Sequence, residues 1–209
     1  MPARVVMVYF GTLGDLFPLL GLGRALAQRG HEVTVLGPAP HHAHVVQAGL
    51  AFVGLGTQAQ FDAVLQHPDL WHPAKGFRVL MASARAHYPA VTAYVQGLSD
   101  DQPTWLMAHP SAILVADAAR ARRPRIRLVS IYLAPSNLGS CHDPMMVGAK
   151  RMPPWVPLSA RRALMSLFKW LVFDRVLASD INPTRAVLGL PPLRAVVDHA
   201  WQCPDVHLT

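Results

Sequence analysis

The chain has 209 residues, of which 52% are hydrophobic and 15% charged; this composition supplies a packed core and excludes an intrinsically disordered protein. The net charge of +7 favours anionic partners, such as phosphate-bearing ligands, nucleic acids or an acidic membrane surface. Two cysteines, Cys141 and Cys203, argue against a disulfide framework and indicate a reducing compartment. No apolar run resembles a signal peptide or a membrane span, so we expect a cytoplasmic protein.

The first 36 residues predict a βαβ unit. An apolar run at residues 5–10 breaks at the turn Gly11–Asp15, which contains two glycines. A helical pattern follows and stops at Gly30, and residues 33–36 form a second apolar run. This strand, turn, helix and strand are typical of the start of a parallel sheet.

The following residues continue the alternation. Hydrophobic spacing predicts strands at residues 50–55, 104–108 and 126–132, and helices at residues 41–49, 60–66, 75–98 and 111–122. This order predicts the α/β class, with a Rossmann-like, doubly wound parallel sheet.

The last third of the chain is less regular. Residues 135–157 indicate a long functional loop. Ser159 is predicted to cap a helix that reaches about residue 179, and Asn182–Pro183 to interrupt it. Residues 204–209 begin like another strand.

Asp15 is the charged residue in the turn after the first strand, where the carboxyl ends of parallel strands face a cleft. Spacing alone favours a helix N-cap, because Asp is a common cap and Pro18 suits the first turn of a helix. Gly11 and Gly14 have GxxG spacing rather than the GxGxxG of dinucleotide sites, and the chain has no phosphate-binding P-loop. We therefore expect no cofactor.

Three segments of the opening region, residues 10–18 (FGTLGDLFP), 22–26 (LGRAL) and 29–33 (RGHEV), resemble GT-B glycosyltransferases of the family 1/28 type. Within that group they are most similar to sterol glucosyltransferases and the rhamnolipid rhamnosyltransferase. The resemblance continues through residues 61–73 and 173–190. It covers nearly all of this chain but only the N-terminal half of such an enzyme.

The resemblance implies one half of a GT-B architecture: residues 1–209 form an acceptor-binding domain, and the C-terminal donor domain is absent from this chain. It also implies an inverting transfer of a hexosyl or deoxyhexosyl group from a nucleotide sugar to a hydroxyl of a lipid or other hydrophobic acceptor, with little activity by this chain alone. Asp15 matches the general-base position, and Gly11, Thr12 and Gly14 would contact substrate. A carboxylate becomes a stronger base when the cleft desolvates it.

His109 follows the fourth predicted strand, where the members with a histidine base usually carry an orienting aspartate. An Asp15–His109 pair, with His109 as partner or proton relay, is chemically sensible. The alternative is an ordinary polar residue at a strand end.

Two groups of apolar residues are candidates for an acceptor pocket, because methionines and aromatic residues adapt to irregular ligands. They are Leu138, Met146 and Trp155 in the long loop, and Met81 and Tyr88 on the helix face. The alternative for both groups is core packing. Lys150 and Arg151 beside Trp155 also suit peripheral contact with the inner face of an anionic membrane.

Two other clusters of charged or potentially metal-binding residues are predicted to have no catalytic or binding role. The cluster His41, His42 and His44 lacks a completing acid or cysteine, so we expect a solvated helix start and no metal. The arginines of residues 120–127 have no interleaved aromatics, so we expect no nucleic acid. The alternative function is a non-catalytic module that binds a hydrophobic ligand, or a subunit that works with a separate donor-domain chain.

Overall fold

The computed structural model describes residues 2–72, 75–134, 140–142, 153 and 155–209. Its strands are β1 (Arg4–Val8), β2 (Glu32–Pro38), β3 (Ala51–Leu55), β4 (Thr104–Ala108), β5 (Ile126–Ile131) and β6 (Val206–Leu208). Its α-helices are α1 (Leu13–Gln28), α2 (His42–Gln47), α3 (Gln58–Leu65), α4 (Gly76–Arg85), α5 (Tyr88–Gln96), α6 (Ile113–Arg120), α7 (Leu158–Phe168), α8 (Arg175–Val187) and α9 (Val196–Gln202). A 3₁₀ turn (Ala39–His41) precedes α2, and a π-helical segment (Lys169–Asp174) joins α7 to α8.

The six strands form one parallel sheet in the order β3-β2-β1-β4-β5-β6. Residues 5–8 of β1 are buried because helices cover both faces of the sheet. On one face, Val6 and Val8 belong to a core with helices α4, α5 and α6. On the other face, Val5 and Met7 pack with residues of α1. The predicted α/β, doubly wound parallel sheet is confirmed.

The order of the strands reverses between β1 and β4, because the chain adds β2 and β3 on one side and β5 and β6 on the other. In such sheets, ligands bind in the crevice outside the carboxyl ends of the two strands at this switch point. Val8 at the end of β1 pairs with Ala108 at the end of β4, so the residues that follow them meet at that crevice.

The prediction of one long helix at residues 75–98 is wrong. The structure has α4 and α5, separated at Ala86 and His87, with Pro89 in the first turn of α5. Proline has no amide hydrogen and its ring clashes with the carbonyl four residues earlier, and here the helix breaks before it. Met81 and Tyr88 therefore lie on different helices.

Three further features of the helices differ from the sequence predictions. The helix predicted to be capped by Ser159 begins at Leu158, with Pro157 at the cap position. Pro183 lies inside α8 rather than interrupting it, and the Asn182 side-chain amide instead binds the backbone of Leu193 at 2.8 and 3.0 Å. The sequence did not predict α9 at all, because its seven residues carry no long apolar period.

Among the residues described, no helix is both long and apolar enough to cross a bilayer.

Candidate active site

Backbone hydrogen bonds join the two loops that follow β1 and β4. The His109 amide donates to the carbonyl of Val8 at 3.0 Å, which continues the strand pairing one residue past β4. The Phe10 amide donates to the Ser111 hydroxyl at 3.1 Å. The first loop leads into α1, and the second into α6. These bonds fix the start of α1 beside the end of β4.

Asp15 lies in the first turn of α1. Its Oδ2 accepts a hydrogen bond from the Thr12 amide at 2.8 Å, and the Thr12 hydroxyl lies 3.4 Å from the same oxygen. Thr12 occupies the cap position, so the interpretation of Asp15 as the N-cap residue itself is wrong. Asp15 instead supports the cap from the third helical position, as the acid of a capping box does.

The other oxygen of Asp15 faces His109. Asp15 Oδ1 lies 3.6 Å from His109 Nε2, and it accepts no hydrogen bond from the residues that the structure describes. Burial lowers the pKa of His109 below its ordinary value of 6.5, and the nearby Asp15 carboxylate opposes that shift. The expected juxtaposition of these two side chains is therefore present; their catalytic roles stay predictions.

On its other side, the His109 ring contacts Ser111. Nδ1 lies 2.8 Å from the Ser111 hydroxyl, and the Ser111 amide donates to Nδ1 at 3.3 Å. Ser111 could not be identified from the sequence, because nothing in a His-Pro-Ser segment shows that the chain turns back onto the imidazole.

A cavity of about 410 Å³ opens over this pair, a volume within the range of small-molecule sites. We call it the switch-point cavity. Its polar end holds Asp15, His109 and Ser111. Its walls are mainly apolar, and include residues of α3 and α4 and of the segment between them: Phe61, Val64, Leu65, Leu70, Trp71, Leu80, Met81 and Ala84.

The remaining predicted substrate contacts divide into three groups. Gly11, Thr12 and Met81 line the switch-point cavity. Gly14, Tyr88 and Trp155 do not: Tyr88 is 1% exposed in the core, as the packing interpretation expected, and Trp155 is 81% exposed. The last two, Leu138 and Met146, lie outside the described residues, as do Lys150 and Arg151.

The sequence did not indicate the positions of two further histidines, one that lines the cavity and one that is buried next to Tyr9. His87 lines the cavity at the break between α4 and α5, with its ring centroid 6.2 Å from that of Phe10. His41 is 4% exposed and its Nδ1 lies 2.6 Å from the Tyr9 hydroxyl, so the expectation of a fully solvated helix start is wrong for His41. Burial lowers the pKa of both histidines, and for His41 the neighbouring His44 adds to the shift.

A second polar cluster lies away from the cavity. Asp117, His199 and Cys203 bring potential metal ligands together, but Arg120 and Arg185 each lie 3.6 Å from the Asp117 carboxylate. Two guanidinium groups beside the carboxylate disfavour a further cation. Burial is the main cause that raises the pKa of the Cys203 thiol to about 12. This cluster joins α6 to α8 and α9.

We predict opposite effects for alanine at the two glycines of the opening turn. A Cβ on Gly11 would lie 2.2 Å from Asp15 Oδ2, whereas a Cβ on Gly14 would meet only the Thr12 hydroxyl oxygen, at 3.6 Å. Gly11→Ala therefore displaces the carboxylate and costs about 1–2 kcal/mol through the lost cap. Gly14→Ala, the matched control, gains about 0.5 kcal/mol because alanine favours the helix. Urea unfolding measures both; equal effects would contradict the close packing of Asp15 on Gly11.

We also predict that the protein loses stability on mild acidification. The pKa values of His41, His87 and His109 are lowered in the folded state, so the unfolded chain binds more protons near their ordinary value of 6.5. The free energy of unfolding should fall as the pH decreases from about 7.5 to about 6, above the range where carboxylates titrate. Urea unfolding at several pH values measures the slope, and His87→Phe should reduce it. A flat or rising profile would show that these histidines are not buried as neutral rings.

Comparisons with known proteins agree with this fold. Residues 5–123 match the glycosyltransferase family 28 N-terminal domain. An uncharacterised glycosyltransferase of Mycobacterium tuberculosis (strain ATCC 25618 / H37Rv) is 25% identical over 193 residues, which are 90% of this chain and 44% of that protein. O-mycaminosyltylonolide 6-deoxyallosyltransferase of Streptomyces fradiae is 25% identical over 198 residues, with the same shares covered. The chain thus spans less than half the length of these relatives.

Solved structures show the same fold. The glycotransferase of kitacinnamycin superposes with a TM-score of 0.62 at 19% identity, over 99% of this chain and 46% of that one. The glycosyltransferase SnogD of Streptomyces nogalater gives 0.57 at 14% identity, over 93% and 43%. VinC, solved in complex with dTDP, gives 0.56 at 14% identity, over 93% and 46%. The expected Rossmann-like fold of GT-B glycosyltransferases is confirmed, and the chain belongs to the glycosyltransferase family 28 N-terminal domain family.

Proposed function

We propose that this chain supplies the acceptor-binding side of an inverting glycosyltransferase. The reaction transfers a hexosyl or deoxyhexosyl group from a nucleotide sugar to a hydroxyl of a hydrophobic acceptor. One observation supports this function above the others: an Asp15 oxygen without a hydrogen bond from the described residues lies beside His109 at the polar end of an apolar-walled cavity.

The chemistry follows from the two oxygens of Asp15. Oδ2 is held by Thr12, so Oδ1 is the atom that takes the hydroxyl proton of the acceptor. The acceptor oxygen then forms a bond to the anomeric carbon of the sugar. The bond from that carbon to the diphosphate breaks, and its electron pair leaves with the nucleotide. Attack from the face opposite the leaving group inverts the anomeric configuration.

The walls of the switch-point cavity favour an acceptor with a large apolar body. Trp71 is 84% exposed and Leu80 is 48% exposed, although both line the cavity, so an apolar ligand would bury surface that water now covers. A lipid hydroxyl suits these walls. A compound like O-mycaminosyltylonolide is a second candidate, because one relative is named O-mycaminosyltylonolide 6-deoxyallosyltransferase.

The nucleotide sugar would bind mainly to a donor half outside these 209 residues, since this chain spans 44% of its curated relatives. VinC, which shares the fold, was solved with dTDP, which makes a dTDP-sugar a reasonable first donor to test. We further propose that this chain alone has little or no transfer activity.

We also propose that the protein is cytoplasmic and binds peripherally to the inner face of a membrane. A lipid acceptor would be bound at that surface. Large apolar side chains are exposed along α7 and the π-helical segment; this α7 face consists of Leu164, Leu167, Trp170, Leu171 and Val172. The cations Arg162 and Lys169 lie on the same elements, and Arg175, the first residue of α8, stacks 5.3 Å from the centroid of the Trp170 ring. Aromatic and basic residues together suit an anionic lipid surface.

We predict that Asp15→Asn reduces transfer by about 10²–10⁴-fold in kcat, with a smaller effect on KM. The amide oxygen of Asn can still accept the Thr12 hydrogen bond, so the helix cap is kept while the base is lost. The assay would use a chimera in which residues 1–209 precede the donor half of the Streptomyces fradiae relative, with a dTDP-sugar and each acceptor type. Asp101→Asn, on the turn before β4, is the matched control. Unchanged transfer by Asp15→Asn would favour the non-catalytic binding module.

We predict that the chain sediments with vesicles containing anionic lipid and less with zwitterionic vesicles. Leu167→Glu should weaken this binding about tenfold or more, since it removes an exposed leucine that would insert into the lipid and adds a charge that anionic lipid repels. Val187→Glu introduces the same charge at the far end of α8, where Val187 is 87% exposed, and should leave binding nearly unchanged. Equal losses in both variants would contradict docking through the α7 face.

A further inference from the structure

The contacts of His109 determine which of its ring nitrogens carries hydrogen. The backbone amide of Ser111 can only donate, and it points at His109 Nδ1 from 3.3 Å. A hydrogen on Nδ1 would therefore face another N–H. This contact favours a lone pair on Nδ1, and therefore a neutral ring with its hydrogen on Nε2, but at 3.3 Å it is too weak to fix the tautomer without the Ser111 hydroxyl.

The Ser111 hydroxyl reinforces this arrangement. Its oxygen accepts the Phe10 amide hydrogen at 3.1 Å and lies 2.8 Å from His109 Nδ1. With one lone pair occupied by Phe10 and Nδ1 available as an acceptor, the hydroxyl hydrogen is directed at Nδ1. Two donors of one residue thus converge on a single nitrogen, and the Phe10 amide holds the hydroxyl in place.

We infer that Ser111 is a positioning residue that fixes His109 as the Nε2–H tautomer, so that the imidazole donates toward Asp15 and cannot itself accept the proton of the acceptor hydroxyl. Burial, which lowers the pKa of His109, also keeps the ring neutral. Of the two roles that the sequence left open, His109 therefore takes that of donor partner to Asp15, and its Nε2 does not relay a proton.

The role of His109 and Ser111 in transfer rests on the proposed function, whereas the tautomer of His109 is independent of that function. The gap of 3.6 Å between His109 Nε2 and Asp15 Oδ1 exceeds a hydrogen bond. A hydroxyl placed against both atoms accepts from Nε2–H and donates to Oδ1, which orients it for attack. The proton moves to Oδ1, the hydroxyl oxygen uses its electron pair for the new bond to the anomeric carbon, and His109 leaves the reaction unchanged.

Nuclear magnetic resonance of the 209-residue chain labelled with ¹⁵N-histidine tests the tautomer without any donor or acceptor. Long-range ¹H–¹⁵N correlations at neutral pH should show an unprotonated Nδ1 and a protonated Nε2 for His109. Ser111→Ala retains the amide but loses the hydroxyl, and should populate both tautomers. Ser111→Thr should restore the wild-type pattern, and Ser179→Ala, whose hydroxyl bonds only within α8 among the described residues, should not alter it. A hydrogen on Nδ1 in the wild type, or an unaltered tautomer in Ser111→Ala, would overturn the inference.

A transfer assay in the chimera then distinguishes a failure of the positioning role of Ser111 from a failure of the proposed function. Ser111→Ala should lower kcat about 3- to 10-fold with little effect on KM, as expected for the loss of one hydrogen bond, and Ser111→Thr should recover it. If the tautomer is as inferred but Asp15→Asn transfers normally, the proposed function fails and the positioning by Ser111 stands. If Asp15→Asn is inactive and Ser111→Ala retains both kcat and tautomer, Ser111 has no positioning role.

Discussion

The pairing of β1 with β4 is the constraint on which the rest of the site depends. Val8 and Ala108 end the two strands in register, and the His109 amide extends the ladder to the Val8 carbonyl. Asp15 and His109 lie 94 residues apart in the sequence, yet the ladder leaves them little freedom relative to each other. Backbone hydrogen bonds of a buried parallel sheet are costly to break, because the freed amide and carbonyl groups cannot form hydrogen bonds with water instead. The sheet therefore restrains the backbone segments that carry the candidate base and its histidine neighbour.

Much of this arrangement could be predicted from the sequence. Alternating apolar runs identified β1 to β5, and a parallel sheet brings residues after strand ends to one edge, so Asp15 and His109 could be placed together before the structure. The resemblance added the chemistry, since spacing alone favoured a cap for Asp15. Both interpretations had a physical basis, because the carboxylate does support the cap with one of its oxygens.

The remaining features depend on tertiary contacts that local patterns do not contain. Ser111 is one polar residue among many until the turn at Pro110 points its amide and hydroxyl back at the imidazole. His41 belonged to a run that indicated solvent, but its ring is buried against Tyr9. The periodicity of residues 75–98 persisted across a proline that stops the helix, and Pro183 was tolerated where a break was expected. Proline is a strong local signal, but its effect depends on whether the surrounding structure satisfies the freed backbone groups.

The two oxygens of Asp15 have different neighbours: Oδ2 accepts the Thr12 amide hydrogen bond, and Oδ1 faces His109. A catalytic base gains a proton and loses it again in every turnover. If both of its carboxylate oxygens accepted hydrogen bonds that stabilise the fold, each protonation would weaken one of those bonds. Under the proposed function, the anchoring oxygen and the reacting oxygen would be separate atoms of one carboxylate, so Asp15 could bind and release a proton while α1 keeps its cap. A glutamate, one methylene longer, would have to shift one of these two atoms. The turn therefore constrains the length of this side chain as well as its charge.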